Sequence, residues 1–591
     1  MTQLLTRPTS RPRYVARGIL GWHWGMLALA LVLAVLIVGP LGFVTGRAVL
    51  GGELTTKVQE FVDFMSQPAT LRALRNTFLI AVPATLIACA GGVALGWLLA
   101  RTDIPGRRLL NSMPLIPILI PRVSAAIGWV FLLSPRQGIL NVFYRDVFGS
   151  DAETGPFNAH SFLVIIFVMG INLVPYAYAL MYPSFTQMNS ELEEAGLASG
   201  ASELRVAWRV TLPAMRPALL GSLSLCFMLA IAQFSIPYIL GSPERITVLT
   251  TELFGLLTTF PANYDAVAYL GIVLGLFAVI LLYGHRRLTA LRSFVTVTGK
   301  GHSDRLVRLR RWKPAALAFV WLYAGLTVIL PVGALVVASL LSFWGADYRL
   351  DEMGLDWYRS LFDHAWAMPA LGNSLRLALV GSLCCIVLAA LASWYGVRRK
   401  GRLNSVLQGL AELPIGIPSS VFGIGFLFAF IALWADGLNT SFPLLVMYSV
   451  LFLPFAMRSV TSALHQVSPE LEEAAYVSGA SRFGAFRRVT LPLLKNGMFY
   501  GWLLVLAILF RELEATVFLV TPGTPVFASA LLDMWGLARW PQAAAYSVLV
   551  LLLTLVLLGA MSGLLGIGKR AGSGRRRPFP SNRPGSVHGG V

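Results

Sequence analysis

Twelve apolar stretches, each about 20 residues or longer, recur along this chain, and each is long enough to cross roughly 30 Å of hydrocarbon as a helix. They lie at about 24–45, 78–100, 109–133, 161–182, 217–240 and 265–284, then at about 315–342, 375–396, 405–434, 442–462, 497–520 and 543–567. Lipid satisfies no backbone donor or acceptor, so such runs must form helices or a closed barrel. Continuous apolarity without a two-residue alternation selects helices. The expected fold is therefore all-α and integral to the membrane, with 12 transmembrane helices. Only 13% of residues are charged and the mean hydropathy is +0.70, which excludes an ordinary soluble enzyme.

The net charge of +19 would suggest a nucleic-acid partner in a soluble chain. Here the basic residues are confined to the tails and one linker. Arg7, Arg11, Arg13 and Arg17 precede the first run, and Lys569, Arg570, Arg575, Arg576, Arg577 and Arg583 follow the last. Between the sixth and seventh runs, His285 to Lys313 holds nine Lys or Arg against the single acid Asp304. With 12 spans all three segments share one side, which the positive-inside rule makes the cytoplasm. The loop after the seventh run is acidic, with Asp347, Asp351, Glu352, Asp356 and Asp363. Phe294 and Trp312 alone do not make a series of stacking platforms through the linker, so lipid headgroups or solvent, not nucleic acid, are its expected surroundings. The first run exceeds a signal-peptide core and lacks a small-residue cleavage site, so it is expected to stay as the first span. Cys89, Cys226, Cys384 and Cys385 all fall inside spans as packing residues, and the seven scattered histidines form no metal-binding pair.

An internal repeat sets the architecture. ELEEAGLASGASELRVAWRVTLP runs from Glu191 to Pro213, and ELEEAAYVSGASRFGAFRRVTLP from Glu470 to Pro492, with 14 of 23 letters identical at an offset of 470 − 191 = 279. Upstream, Asn76, Pro117 and Pro121 match Asn373, Pro414 and Pro418 at an offset of 297, and the difference is an insertion at about Ser134 to His160. The chain then divides into a basic tail (1–23), a six-helix half (24–284) with a loop at 190–213, a linker (285–313), a second half (314–567) with a loop at 469–492, and a basic tail (568–591).

Each repeated loop is too polar to cross the membrane and reads as helix, elbow, helix. Asn189 or Ser190, and Ser468 before Pro469, are expected caps for a first helix whose acids suit its positive end. Gly200 and Gly479 supply the left-handed stop, Ser202 and Ser481 cap a second short helix, and Pro213 and Pro492 mark entry into the next span. Leu204, Ala207, Trp208 and Thr211 are expected on one apolar side of that short helix. Two rigid elbows thus face the cytoplasm, shaped to dock a partner.

The pattern Glu-Ala-Ala, three residues, Gly, nine residues, Ile-x-Leu-Pro resembles the cytoplasmic loop of permease subunits of binding-protein-dependent ABC importers. Here it reads Glu194, Ala195, Gly196, Gly200, Val210, Leu212, Pro213, and again Glu473, Ala474, Ala475, Gly479, Val489, Leu491, Pro492. Val replaces Ile twice, and Gly196 replaces the second Ala, an expected loosening of about 1 kcal/mol. The resemblance covers essentially the whole chain apart from the tails. It implies a fused two-half permease in a bacterial inner membrane, with both termini cytoplasmic. The partners implied are two copies of a cytoplasmic ATP-binding subunit and an extracytoplasmic solute-binding protein. ATP and magnesium would bind the partner, with no cofactor or catalytic residue on this chain. Gly563, Gly568 and Lys569 only approximate a phosphate loop, since Arg570 stands where Ser or Thr must hold magnesium.

Polar letters within the spans mark a candidate pathway or gate. Gln233 and Ser235 match Glu512 and Glu514 at the offset of 279, with Arg511 beside them, and Arg122 follows the cluster Pro114, Pro117, Pro121. Ionisable groups at membrane depth are costly, so they face a cavity or a partner. The opposing expectation is a packing ion pair from Arg511 to Glu514 or to the facing half. The spacings Gly92 to Gly96 and Gly271 to Gly275 are expected helix contacts. Ser235 to Gly241 and Arg511 to Thr516 resemble fused permeases of ferric-iron uptake, with polyamine, thiamine and aminoethylphosphonate permeases as near relatives. A secondary transporter is the alternative architecture, although it would need no elbows.

Overall fold

A computed structural model describes residues 13–50, 52–149, 151–188, 191–290, 306–345, 353–398 and 401–572. The expected caps Asn189 and Ser190, most of the C-terminal tail and the middle of the linker lie outside these residues. Eight helices are each long and apolar enough to cross a bilayer, and four pairs of helices qualify as bent spans, giving up to 12.

The third and ninth apolar runs each read as one span, the third with a proline-broken helix before Arg122, and both are broken. Arg107–Leu119 meets Arg122–Leu133 at 92°, and Arg402–Ile415 meets Ser419–Leu433 at 105°. The turns fall at Pro121 and Pro418, the matched prolines, each preceding a helix from an extended position. Proline lacks the N–H of a helical ladder and disfavours helix in the residue before it, so a chain rich in Pro redirects here.

The fifth and eleventh spans also stop short of their expected ends, as helices Arg216–Ile231 and Leu491–Leu509. Beyond these breaks the first half forms Ser235–Gly241 and then Leu249–Thr258, and the second half reaches Phe527–Gly536. The last helix of each pair is pinned alike. Asn76 Nδ2 donates to the Thr247 carbonyl at 3.0 Å and Thr77 Oγ1 accepts from Leu249 N at 2.9 Å. Asn373 Nδ2 donates to the Pro525 carbonyl at 3.1 Å and Ser374 Oγ accepts from Phe527 N at 2.7 Å. Irregular backbone at membrane depth needs such protein partners because lipid supplies none.

The two sequence halves interlock. The first span, Trp24–Val49, packs on the ninth, where a side chain at Gly425 would overlap the Pro40 carbonyl. The seventh, Arg310–Leu340, packs on the third, where a side chain at Gly128 would overlap the Pro331 carbonyl. These glycines are repeat partners, 425 − 128 = 297, and each lets two backbones meet directly. One buried apolar cluster therefore runs through both halves. Gly92 and Gly271 also sit at close helix contacts, whereas Gly275, expected to match them, has nothing within 4 Å of where a Cβ would be. In the inserted loop, helix Ile139–Phe148 is anchored by buried Asn141, whose Nδ2 reaches the carbonyls of Ser134 at 2.9 Å and Phe157 at 2.8 Å. Cys89, Cys226 and Cys385 are buried and Cys384 partly so, all as free thiols.

Candidate functional site

The first elbow folds as helix Glu191–Ala198, a turn at Gly200, helix Glu203–Val206 and a wide turn Ala207–Thr211. The second repeats it as Pro469–Val477, Gly479, Arg482–Ala485 and Phe486–Thr490. Gly200 has φ +80° and Gly479 +86°, the left-handed region that favours glycine. Ala201 N donates to the Gly196 carbonyl at 3.2 Å and Ala480 N to Ala475 at 2.9 Å, closing the six-to-one bond of a Schellman stop. No atom lies within 4 Å of a Cβ at either glycine, so backbone angle and not space imposes the residue.

Ser481 Oγ accepts from Gly484 N at 3.1 Å and Ser202 Oγ from Arg205 N at 3.4 Å, while Ser468 occupies its cap position without a side-chain cap bond. The wide turns precede Pro213 and Pro492. Leu212 N bonds five residues back to Ala207, and Leu491 N to Phe486. Proline next in line cannot bond its i−4 carbonyl, and the ladder slips by one. Gly196 has a local reason as well. A Cβ there would stand 3.0 Å from Val206 Cγ2, whereas in the second elbow Ala475 is matched with the smaller Ala485.

Each elbow is tied to the bundle by a buried carboxylate, and this is not the residue the signature singles out. Glu194 and Glu473 are exposed, as are Ala195 and Ala474. The residues before the two glutamates, Glu193 and Glu472, are buried. Glu193 accepts from Thr211 Oγ1 at 2.7 Å and pairs with Arg101 at the end of the second span. Glu472 accepts from Thr490 Oγ1 at 2.6 Å and from Arg398 Nε at 3.0 Å at the end of the eighth. Thr211 and Thr490 share the 279 offset and Arg101 and Arg398 the 297 offset, so repeat identity was the available signal. Trp208, expected on the apolar side of the short helix, is 65% exposed, and the second elbow presents Phe483 and Val477 to solvent.

The second site lies where the fifth and eleventh spans break. Ser235 Oγ donates to Glu514 Oε1 at 2.9 Å, and Phe234 N donates to Glu514 Oε2 at 2.6 Å. Ser235 and Glu514 are repeat partners, 514 − 235 = 279. Equivalent positions that touch must lie on the pseudo-two-fold axis relating the halves. Around this contact Arg122 Nη1 stands 3.5 Å from Glu514 Oε1, and its Nη2 donates to the Tyr176 hydroxyl at 3.0 Å. Arg511 Nη1 donates to the Ile120 carbonyl at 3.2 Å, and Glu512 Oε1 accepts from Ala515 N at 3.0 Å. Gln233, the partner of Glu512, is 2% exposed, and its side-chain amide has no hydrogen-bond partner among the described residues.

All six sequence-marked polar residues therefore sit at or beside the two span breaks, with Arg122 arriving from the third span. The cross-half ion pair is Arg122 with Glu514, and Arg511 bonds a backbone carbonyl of the first half instead of Glu514. Tyr176 was not foreseen, because a tyrosine within an apolar run carries no pattern that separates it from a packing residue.

The family described as binding-protein-dependent transport system inner membrane component matches residues 92–289 and 385–565. The ferric transport system permease protein FbpB of Actinobacillus pleuropneumoniae is 23% identical over 544 residues, covering 90% of this chain and 77% of that protein. The Fe(3+)-transport system permease protein FbpB 2 of Haemophilus influenzae is 23% identical, covering 83% and 89%. A putative 2-aminoethylphosphonate transport system permease protein of Salmonella paratyphi A is 30% identical, covering 44% of this chain and 98% of its own.

Proposed function

This chain belongs to the family of binding-protein-dependent transport inner membrane components, as a fused pair of halves, and on that premise we propose that it couples ATP use on a partner to solute movement along its pseudo-two-fold axis. As an ABC importer permease of a bacterial inner membrane it supplies the membrane passage. Each elbow, in this reading, docks one copy of a separate cytoplasmic ATP-binding subunit, with both termini on that same side. Closure of the two subunits on ATP draws the elbows together, and hydrolysis with release resets them.

The observation that carries the proposal is the buried tie from each elbow to the bundle, Arg101–Glu193–Thr211 and Arg398–Glu472–Thr490. A docked elbow moving as a unit pulls on the ends of the second and eighth spans, and packed bundles respond to such pulls by rocking as bodies. ATP hydrolysis belongs to the partner. In support, the glycines and lysine that approximate a phosphate loop lie within the helix Trp540–Gly572, not in a loop after a strand.

In this conformation the axis is closed by Glu514, Ser235 and the Phe234 backbone, with Arg122 and Arg511 on the flanks. Opening the path requires those bonds to part, and the charged groups then line it. An extracytoplasmic binding protein delivers the solute. Iron(III) is the proposed solute, because the relatives named for ferric transport match across both halves, whereas the aminoethylphosphonate relative matches less than half of the chain. Uptake of radiolabelled iron(III) in cells expressing the chain with its genetic neighbours tests this. ATP-dependent iron uptake is expected. Uptake of aminoethylphosphonate, thiamine or a polyamine without iron would overturn the solute, and uptake indifferent to loss of the ATPase would overturn the coupling.

A further inference from the structure

On the cytoplasmic side the end of the linker doubles back over the base of the first elbow. Val307 N donates to the Arg101 carbonyl at 2.8 Å, and Asp103 N donates to the Val307 carbonyl at 3.2 Å, a short backbone bridge centred on Thr102. Asp103 fixes the next turn. Its Oδ2 meets Lys313 Nζ at 2.8 Å and its Oδ1 accepts from Leu309 N at 2.9 Å. These two hydrogen bonds, chiefly the one from Lys313, hold the Asp103 carboxyl below its ordinary range. The same Arg101 whose backbone carries the bridge pairs through its side chain with Glu193 of the elbow.

Beyond the strap opens a cleft of about 1190 Å³, lined by Arg308, Arg310, Arg311, Trp312, Asp103 and Glu203. None of the three guanidinium groups is paired with a carboxylate among the described residues, and all three residues are exposed. With Asp103 paired to Lys313, Glu203 is the one other acid lining the cleft among the described residues. Arg310 is held at φ +46°, a backbone region that residues with a side chain adopt uncommonly. The seventh membrane span begins at Arg310, so the cluster stands at headgroup level, and Trp312, 62% exposed, has the amphipathic ring favoured at that boundary.

We propose that this cleft binds the phosphate of an anionic lipid of the cytoplasmic leaflet. Three arginines present several N–H donors to phosphate oxygens, and Leu306 and Leu309 on the cleft wall meet the less polar part of the headgroup region. An occupied cleft braces the strap on Thr102 and, through Arg101, the first elbow. The second elbow has no such strap among the described residues. A free phosphate would meet the same donors, so the source has to be separated by experiment, as does an acidic surface of a docked protein.

The test uses the full chain in mild detergent, with bound lipid counted by native mass spectrometry after addition of phosphatidylglycerol or phosphatidylcholine. The wild type is expected to retain phosphatidylglycerol in preference to phosphatidylcholine, and millimolar inorganic phosphate is expected not to displace it. The triple change Arg308→Gln, Arg310→Gln, Arg311→Gln should reduce retention at least ~10-fold, since each basic group near a charged leaflet contributes substantially. A triple change of the same charge at Arg575, Arg576 and Arg577 should leave retention intact, and replacing the three cleft arginines with Lys should restore part of it. Equal retention of the two lipids by the wild type, or of phosphatidylglycerol by the wild type and the Gln variant, overturns the proposal without reference to folding. Displacement by phosphate would assign the site to a soluble anion. Unchanged lipid with lost ATPase co-purification would assign it to the protein partner.

Discussion

Glu514 is the residue that bonds the two halves to each other at the pseudo-two-fold axis. Its two carboxylate oxygens hold Ser235 Oγ and Phe234 N, and Arg122 lies 3.5 Å away. Glu512 makes a single bond to Ala515 N beside it. Glu512→Gln is expected to alter solute uptake while the ATPase complex still assembles, measured as uptake against co-purified ATPase; unchanged uptake would leave Glu512 a packing role. In the second elbow the Arg398 and Glu472 side chains are only 11% and 5% exposed. Removing one member of such a buried pair strands the other charge at a cost of about 3–5 kcal/mol. Arg398→Ala should therefore lower the chain's thermal midpoint more than an exposed change such as Glu473→Ala. The charged residues of the axis were legible because charge inside an apolar run is conspicuous. Glu193 and Glu472 were not, since each stands among several acids in a polar segment, and only the fold selects the one that turns inward.

The elbow as an element was written in local chemistry: a stop at glycine, a serine cap, a proline before the next span. At φ near +80° a branched side chain costs about 1–2 kcal/mol, whereas Asn tolerates the region. Replacing Gly200 and Gly479 with Val is expected to leave the protein in the membrane but to abolish ATP-driven uptake, and replacing both with Asn should preserve most of it. The bends at Pro121 and Pro418 were less legible. Hydropathy counts apolar letters without regard to chain direction, so a turned pair of half-length helices reads as one span. The prolines were visible, but their 92° and 105° consequences depend on what packs on either side.

For the whole molecule, the repeat announced two halves, and yet nothing in it announced their exchange of first helices. The close approach of Pro40 to Gly425 joins residues 425 − 40 = 385 positions apart, and no sequence pattern reports a contact between unlike positions at that range. The axis contact is different, because its two members are repeat partners and so place the symmetry element once their 2.9 Å bond is seen. A cysteine pair at Ser235 and Glu514, in a chain whose four native cysteines are replaced, should under oxidation lock the axis and stop uptake, with recovery under reductant. Uptake that continues through the oxidised pair would place the path elsewhere.

The central claim is that two glycine-hinged elbows join this permease to an ATPase. Its most direct test is affinity purification of the solubilised chain, wild type beside the variant with Val at both Gly200 and Gly479, followed by identification of what co-purifies. The account predicts an ATP-binding subunit recovered with the wild type and lost at least ~10-fold, about 1.4 kcal/mol, from the variant. Equal recovery from both would contradict the elbows as the docking site, and no ATPase in either would bring back a secondary transporter.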